Sequence, residues 1–371
     1  MNVTISEKPS TVVVALSGGL DSSVSAALLK IVGWEVFGLH FSLPAATSVE
    51  EARQSAVQEL AEFLHIPLKI VDMREVFSRQ VMDPFLEAYL QGLTPNPCVM
   101  CNPLVKFSSL LRFAEQNHIH RVATGHYVRL RKKDEGPVVE LLRGRDKRKD
   151  QSYFLHRLRQ TCLSRTLFPL GELTKDQVAQ KARELNLPVI SIPESQDICF
   201  LPDGDYRSLL EAQRGNDINR HGNIINFHGE IIGEHRGIYR YTLGQRQGLG
   251  IASHSPYYVQ ELKPKTNEVI AGRQEDLFSN TAEAMNFIWV ETPPIRKKLI
   301  LQAQVRYRHR AATGLLEVLS TDRVKFTFES PQWAITPGQF LCCYDGDRVI
   351  GGGVICRPRS VGKHKSEIGG R

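Results

Sequence analysis

The stretch TVVVALSGGLDSSVSAALLKIVGWEVFGLHF, residues 11–41, decides the fold. An apolar segment rich in β-branched residues comes first, a turn of small residues follows, and a helical segment then leads into a second strand-like segment. This order is that of a βαβ unit. Helix-like and strand-like segments continue to alternate, near residues 49–65, 67–73, 75–90, 106–117 and 121–126. The pattern predicts an α/β fold whose N-terminal part is a doubly wound parallel sheet with helices on both faces.

The character of the sequence changes along the chain, and we place domain boundaries at those changes. Residues 1–203 form the predicted catalytic domain with the parallel sheet. Residues 204–278 are rich in glycine and show no long helical period, which predicts a small, loop-rich central β module without a long helix. Residues 279–360 contain short apolar strands separated by Pro, Gly and Asp, a pattern typical of an antiparallel β-barrel. Residues 361–371 predict a flexible basic tail.

Bulk properties limit the classes of function. With 371 residues, 42% hydrophobic and 23% charged, the chain has the composition of a globular protein that can build several cores. No apolar run approaches the length of a membrane span, and the first ten residues do not resemble a secretory signal, so we expect a cytoplasmic protein with no membrane partner. The net charge of +7 permits an anionic partner such as RNA.

The turn between the first strand and helix is Ser17-Gly18-Gly19-Leu20-Asp21-Ser22. Backbone N–H groups and the positive end of a helix dipole would point at an anion there, and the glycines allow close approach to phosphates. A plain turn that needs glycine is the alternative, but the flanking Ser and Asp residues favour a nucleotide site. The chain lacks both the Gly-x-x-x-x-Gly-Lys-Ser/Thr and the Gly-x-Gly-x-x-Gly patterns. The turn instead resembles the PP-loop of ATP pyrophosphatases, which implies cleavage of ATP between its α and β phosphates, with Asp21 helping to hold Mg²⁺.

Seven cysteines, an odd number, predict reduced thiols and therefore metal-binding or catalytic roles for any pair. Cys98 and Cys101 form a Cys-x-x-Cys in a proline-rich loop. Zinc would need further ligands at another spacing, and a thioredoxin-type pair would open the first helix of its domain; both remain alternatives. Cys199 lies in a polar, loop-like setting. The remaining cysteines have apolar neighbours and are interpreted as buried small hydrophobic residues: Cys162, Cys342, Cys343 and Cys356.

Several longer blocks carry a more specific resemblance. They are Thr94-Pro-Asn-Pro-Cys-Val-Met-Cys-Asn102, Ala123-Thr-Gly-His-Tyr127, Lys149-Asp-Gln-Ser-Tyr-Phe154, Asp197-Ile-Cys-Phe200, Tyr241-Thr-Leu-Gly-Gln-Arg246, Gly248-Leu-Gly250, Arg306-Tyr-Arg308 and Thr336-Pro-Gly-Gln339. Together with the PP-loop, and in this order, they resemble the tRNA-specific 2-thiouridylases over roughly residues 12–353, nearly the whole chain.

The resemblance implies ATP-dependent thiolation of the wobble uridine, at carbon 2, in the tRNAs for Lys, Glu and Gln. A uridine carbonyl is a poor electrophile, so ATP would adenylate its oxygen and create a leaving group. Sulfur would then arrive as a cysteine persulfide, with a second cysteine resolving the sulfur–sulfur bond. By resemblance, Cys199 carries the persulfide and Cys101 is the partner nucleophile, and the two form a transient disulfide. The sulfur would come from a persulfide-relay protein or a cysteine desulfurase.

The resemblance also implies binding residues. Those for ATP are Ala15, Leu16, Ser17, Gly18, Gly19, Leu20, Asp21, Ser22, Phe41 and Gly125. Those facing the target base are Asn96, Pro97 and Cys98. Those contacting tRNA are His126, Lys149, Asp150, Gln151, Arg306, Tyr307 and Gln339, with the central module and the barrel both touching tRNA. Phe41 replaces a methionine common in the family, and Cys98 stands where many members carry aspartate.

Three alternatives stay open at this point. Cys98, Cys101 and Cys199 could ligate three irons of a 4Fe-4S cluster whose fourth iron binds sulfide. A PP-loop synthetase could adenylate a small molecule, although that would leave Cys101 and Cys199 unexplained. A tRNA-binding module without chemistry would leave the intact loop from Ser17 to Ser22 unexplained.

Overall fold

The computed structural model describes residues 10–133, 136–188, 198–201 and 204–357. The strands of the N-terminal part are β1 (Thr11–Ala15), β2 (Glu35–Ser42), β3 (Leu68–Asp72), β4 (Arg121–Ala123), β5 (Val128–Lys132), β6 (Val139–Arg143) and β7 (Thr166–Leu167). Within the described residues, five of them form one parallel sheet in the order β3-β2-β1-β4-β7. The predicted parallel sheet is therefore confirmed.

Helices connect and cover these strands. They are α1 (Leu20–Ile31), α2 (Thr47–Leu64), α3 (Arg74–Phe77), α4 (Asp83–Leu90), α5 (Pro97–Cys101), α6 (Ser108–Gln116), α7 (Ser152–Leu155), α8 (Gln160–Leu163) and α9 (Lys175–Glu184). π-Helical stretches at Ser78–Met82 and Asn102–Phe107 continue α3 into α4 and α5 into α6.

The central strand β1 shows why helices lie on both faces of the sheet. Val12, Val13 and Val14 are completely buried. Side chains alternate between faces along a strand, so Val12 and Val14 pack with α1 and α2, whereas Val13 packs with α6. Three consecutive buried β-branched residues need apolar cover on both sides, and the flanking helices supply it.

The central module begins with α10 (Tyr206–Arg214). Short 3₁₀ turns lie at Gly215–Ile218, Ile238–Arg240 and Gln274–Leu277. Its strands are β8 (Gly222–Ile225), β9 (Ile231–His235), β10 (Tyr258–Lys263) and β11 (Glu268–Gly272). In the described chain they form a sheet in the order β10-β11-β8-β9.

The C-terminal strands close into a barrel. They are β12 (Phe278–Trp289), β13 (Lys298–Gln304), β14 (Ala312–Ser320), β15 (Arg323–Trp333), β16 (Phe340–Asp345) and β17 (Arg348–Ile355). Among the described residues these six strands are antiparallel in the order β12-β15-β14-β13-β16-β17, and β12 also pairs with β17. The predicted antiparallel barrel is confirmed. The hairpin β5–β6 extends its sheet, because Leu142 pairs with Arg348 on β17.

One expectation from the sequence was wrong, and one helix was not predicted. Residues 204–278 do contain a helix of more than two turns, α10, with Asp205 accepting from Arg207 N at its start. The helix is amphipathic, with Leu210 fully buried and the Tyr206 ring 3.7 Å from that of Tyr89. Nine residues beside a glycine-rich stretch are too few for a clear helical period. Cys356, expected to be buried, is only partly so, whereas Cys162, Cys342 and Cys343 are buried as predicted.

Some expectations fall outside the described residues. The basic tail at 361–371 and Asp197 are among them. In the part of the chain that the structure describes, no helix is both long enough and apolar enough to cross a membrane.

Candidate active site

The loop after β1 is tied together by its own serine hydroxyls. Ser22 Oγ donates to the carbonyl of Gly19 at 2.9 Å and accepts from Ser17 N at 3.1 Å. Gly18 has a φ of +79°, in the left-handed region, and a Cβ there would lie 3.1 Å from the Arg53 carbonyl oxygen on α2. Gly19 precedes the first turn of α1 and has no side chain to cap it. The N-terminus of α1 is therefore left without a side-chain cap, and its backbone N–H groups could bind an anion.

A second loop, after β4, lies directly on the first. A Cβ at Gly125 would be 2.9 Å from the backbone carbon of Asp21 and 3.0 Å from Ser22 N. Only glycine allows the two backbones to approach this closely. The predicted ATP-binding residues Asp21, Ser22 and Gly125 are thus brought together.

The Asp21 carboxylate has partners that were not predicted from the sequence. Lys175 Nζ lies 2.9 and 3.0 Å from its two oxygens, and the Tyr127 hydroxyl donates to Oδ1 at 2.6 Å. Lys175 is the first residue of α9, where Thr174 and Gln177 form a capping box. The Thr-x-x-Gln pattern marks the helix start in the sequence, but nothing in it indicates that the adjacent lysine reaches a loop 154 residues earlier.

Phe41, the predicted apolar wall for adenine, is half-buried near the end of β2 and pairs with Val71. The preceding residue, His40, is buried, and its Nδ1 lies 2.8 Å from the carbonyl oxygen of Leu16. Its Nε2 is 3.5 Å from Glu50 Oε1. Burial works against the charge of Glu50, but hydrogen bonds from Ser42 and other neighbours lower the pKa of Glu50 overall. This network braces the strand end beside the loop.

The cysteine motif forms a short helix of its own. Asn96 precedes α5 and its side chain accepts from Val99 N at 3.4 Å, while Pro97 occupies the first helical position. Cys98 is half-buried and Cys101 is buried. All seven cysteines lie within the described residues, and each is a free thiol.

Cys199 comes from a distant part of the chain and is exposed. Its neighbour Phe200 is buried, with its ring 5.4 Å from that of Phe77 and 5.3 Å from that of Phe85. Ile198 packs against the same core. The apolar flanks are therefore anchored, and the thiol between them is left on the surface.

Lys106 links the three cysteines electrostatically, and sequence reasoning did not single it out. Burial raises the pKa of Cys98 to about 12 and that of Cys101 to about 11, and the ammonium of Lys106 opposes both increases. Conversely, burial works against the charge of Lys106, but Cys101, Cys199 and Cys98 raise its pKa above the usual value. Lys106 lies on the π-helical stretch, five residues after Cys101. Arg53, whose carbonyl abuts Gly18, also acts on Lys106.

Metal binding by these cysteines would require their side chains to converge on one point. Among the described residues, no three His, Cys, Asp or Glu side chains form a group that could hold a metal ion. Cys98, Cys101 and Cys199 form no such group in the described part of the chain.

Residues predicted to contact tRNA near the loop have internal partners. The Gln151 side chain accepts from Tyr127 N at 2.9 Å. Asp150 accepts from Arg143 Nη1 at 2.9 Å and from Gly144 N at 3.0 Å, and only 8% of its side chain is exposed. The side chains of Asp150 and Gln151 therefore stabilise this segment through hydrogen bonds within the protein. Lys149 beside them is half-buried.

His126 is half-buried, with its ring 5.9 Å from that of Phe107. Its Nδ1 lies 2.9 Å from Thr124 Oγ1. Burial, and then the charge of Lys106, lower the pKa of His126 to about 3. The imidazole is therefore neutral at physiological pH, and any contact it makes with RNA would be a hydrogen bond or stacking.

The barrel residues predicted to contact tRNA include two that meet segments of the N-terminal part of the chain. The Tyr307 ring lies 4.3 Å from that of Phe154, whose carbonyl accepts from Asn102 Nδ2 at 3.2 Å. Arg306 stacks over Trp333 at 5.0 Å. Gln339 Nε2 donates to the carbonyl of Thr94, just before the cysteine helix, at 2.9 Å.

The described structure combines a parallel α/β sheet with a serine- and glycine-rich loop at the end of its first strand. These features define a PP-loop enzyme that uses ATP. Residues 10–203 match the family described as tRNA methyl transferase HUP domain, residues 213–273 the tRNA methyl transferase PRC-barrel domain, and residues 279–355 the aminomethyltransferase beta-barrel domain.

Curated relatives match almost end to end. The tRNA-specific 2-thiouridylase MnmA of Carboxydothermus hydrogenoformans is 44% identical, with 93% of this chain and 97% of that protein covered. The proteins of the same name from Syntrophotalea carbinolica and Acidithiobacillus ferrooxidans are 43% and 42% identical, covering 94% and 92% of this chain and 99% and 97% of their own lengths. The chain belongs to the tRNA-specific 2-thiouridylase family.

Proposed function

We propose that this chain is a tRNA-uridine 2-sulfurtransferase that thiolates the wobble uridine of the tRNAs for Lys, Glu and Gln, with ATP as the activating substrate. One observation supports the mechanism most directly. Thiols from two distant segments, on α5 and at Cys199, interact with one ammonium, that of Lys106. Arg53, which acts on Lys106, abuts Gly18 of the phosphate loop. These interactions support a proposal in which the sulfur chemistry takes place beside the phosphate loop.

In the first step the C2 oxygen of uridine attacks the α phosphorus of ATP. A bond forms between that oxygen and phosphorus, the α–β bridge breaks, and pyrophosphate leaves. The N-terminus of α1 and the backbone N–H groups of the loop would stabilise the developing negative charge. Asp21 is the residue that would contribute an oxygen ligand to Mg²⁺, which when bound neutralises phosphate charge. Lys175, already paired with Asp21, is a second cation at this position.

In the second step a persulfide on Cys199 attacks carbon 2 with its terminal sulfur, and AMP leaves with the original oxygen. The base is then joined to Cys199 through a disulfide. Cys101 attacks the sulfur of Cys199, the disulfide electrons pass to the sulfur on the base, and 2-thiouridine is released. Cys101 and Cys199 end as a disulfide, which a thiol reductant must reduce before the next turnover. Lys106 favours the thiolate form of Cys101, which the second attack requires.

The exposure of Cys199 suits delivery of sulfur by another protein, a persulfide-relay protein or a cysteine desulfurase. We assign the tRNA to the face formed by Arg306, Tyr307, His126 and Lys149, with contacts from the central module at residues 204–278 and the barrel at residues 279–360. Asn96, Pro97 and Cys98 would face the base. Asp150, Gln151 and Gln339 would act partly through their internal hydrogen bonds.

Single-turnover reactions with substituted cysteines test this order of steps. Cys199→Ser should release pyrophosphate in a tRNA-dependent manner but form no thiouridine. Cys101→Ser should trap tRNA on the enzyme as a mixed disulfide that dithiothreitol releases. Cys162→Ser, a buried cysteine away from the proposed chemistry, is the control and should behave as wild type. Thiouridine formed by Cys199→Ser from a persulfide donor would refute the assignment.

A further inference from the structure

The barrel is hydrogen-bonded to the segment that leads into α5, the cysteine helix. Thr94 N donates to the carbonyl of Pro337 at 2.9 Å, and the Thr94 carbonyl accepts from Gln339 Nε2 at 2.9 Å. Both backbone groups of Thr94 are therefore bound by residues more than 240 positions away in the sequence. We call residues 336–339 of the barrel the latch turn.

The latch turn is itself fixed to the barrel. Gly338 N donates to the Ile355 carbonyl at 3.0 Å, and Ile355 N donates to the Gln339 carbonyl at 2.8 Å. Gly338 has a φ of +92°, and a Cβ there would lie 2.8 Å from Thr94 N. Glycine is required both by the backbone conformation and by the closeness of Thr94. A turn bonded to β17 on one side and to Thr94 on the other leaves little freedom between them.

The path from Thr94 to the thiols is short and stiff. Pro95 and Pro97 fix their own φ angles and restrict the residues before them, which are Thr94 and Asn96. The Asn96 cap then starts α5, which carries Cys98 and Cys101. A displacement at Thr94 would reach the cysteines because no flexible residue lies between.

The neighbouring residues add a second attachment. A Cβ at Gly92 would lie 2.9 Å from the Leu262 side chain of the central module. Arg357, just after the barrel, donates to the Gln91 carbonyl. Both downstream modules therefore contact the loop between α4 and α5.

We propose that the latch turn is a positioning element for the sulfur chemistry, and that Gly338 and Gln339 hold the cysteine helix in register through Thr94 rather than by touching the reacting atoms. The role of the cysteines in this statement rests on the proposed function. In consequence, the module assigned to tRNA contact and the helix that carries Cys98 and Cys101 move as one body.

Alkylation of the cysteines tests the latch without tRNA or ATP. The full-length protein and its Gly338→Ala and Gln339→Met variants are treated with iodoacetamide, and labelling rates at Cys98, Cys101 and Cys199 are followed by mass spectrometry. Loss of one hydrogen bond of about 1 kcal/mol should raise the local opening equilibrium, and so labelling of Cys98 and Cys101, about fivefold. Cys199, on a different segment, should keep its rate.

The matched control is Gly346→Ala in the β16–β17 turn. Gly346 also has a positive φ, +59°, but a Cβ there would meet nothing within 4 Å. It therefore imposes similar backbone strain on the barrel without pushing on Thr94. Its labelling rates should match wild type. Equal labelling in wild type and both latch variants, or equal acceleration in the Gly346 control, would overturn the proposal.

Turnover separates positioning from RNA contact. In Gly338→Ala the thiolation kcat should fall at least about tenfold, as expected for a small misplacement of reacting groups, while the Kd for tRNA stays within about twofold. A defect found wholly in the tRNA Kd would make the turn an RNA contact and refute the latch. Because labelling needs no catalysis, a failure of the proposed chemistry would leave the labelling result intact.

Discussion

At the scale of single residues, Asp21 is identified by its sequence motif, but its hydrogen-bond partners are supplied by the fold. The loop pattern identifies the carboxylate, whereas Lys175 and Tyr127, its hydrogen-bond partners, come from segments far along the chain. Asp21 is about one-third exposed, so its ion pair with Lys175 contributes little to stability. The pairing instead keeps a carboxylate and a cation together where the phosphates would bind.

Asp21→Asn should therefore remove activity rather than stability. The amide keeps the shape but loses the charge needed to attract Mg²⁺ and to pair with Lys175. We expect tRNA-dependent pyrophosphate release to fall by about 100-fold or more, with the tRNA Kd within about twofold of wild type. Asp72→Asn, at an exposed carboxylate paired with Arg74, is the control and should retain full activity. Normal pyrophosphate release by Asp21→Asn would exclude a role for this carboxylate.

The electrostatic interaction between Lys106 and Cys101 predicts how the alkylation rate of Cys101 depends on pH. Burial raises the pKa of Cys101 to about 11, and Lys106 holds it below the value that burial would otherwise impose. The thiolate fraction, and with it the alkylation rate, should rise about tenfold per pH unit through neutral pH. Lys106→Met removes the cation, so the pKa of Cys101 should rise further and alkylation at pH 8 should slow. Lys106→Arg should preserve the wild-type profile; faster alkylation in Lys106→Met would contradict the assignment.

At the scale of elements, the sequence predicted those parts whose pattern is local. The βαβ opening, helix α2 and the barrel strands all have apolar periods long enough to identify them. The hairpin β5–β6 was missed, since its assignment to the barrel sheet depends on one long-range pairing, Leu142 with Arg348. Helix α10 was missed because its apolar face is short. The role of that face is evident only from its packing, in which Tyr206 stacks on Tyr89.

The packing of the β4 loop on the phosphate loop supports a prediction about ATP. Gly125→Ala would place a methyl group 2.9 Å from the Asp21 backbone, so one of the two loops must move. We expect the KM for ATP to rise about tenfold or more, while the chain still folds. Gly233→Ala on β9 is the matched control, since its added Cβ would meet neighbours only at ordinary distances of 3.5 Å and above. An unchanged KM in Gly125→Ala would show that the loops tolerate separation.

At the scale of the whole molecule, the candidate site is assembled from all parts of the chain. Gln339 of the barrel binds Thr94, and Tyr307 of the barrel packs on Phe154. These residues were identified from the sequence because they lie in blocks that resemble a known family and occur in the same order. Their mutual contacts could not be predicted, because they depend on how a barrel docks against a parallel sheet and not on any local pattern. Lys106 escaped notice for the same reason, since a lone lysine after a Cys-x-x-Cys acquires meaning only when Cys199 arrives from elsewhere.

The chain has a net charge of +7. We expect individual arginines to use this charge in contacts with tRNA phosphates, and Arg306 is suited to test this. Its guanidinium stacks on Trp333 at 5.0 Å beside Tyr307, where it can meet a phosphate of an unpaired loop. Arg306→Ala should weaken tRNA binding and lower the slope of log K against log salt by about 0.7, the counterions released by one single-stranded phosphate. Arg306→Lys keeps the charge and should restore the slope while losing the planar stack.

Arg296→Ala is the control. It removes an exposed arginine of the barrel and should leave the slope unchanged. Parallel salt plots for Arg306→Ala and wild type would mean that this arginine supports the barrel through Trp333 and does not contact the RNA backbone.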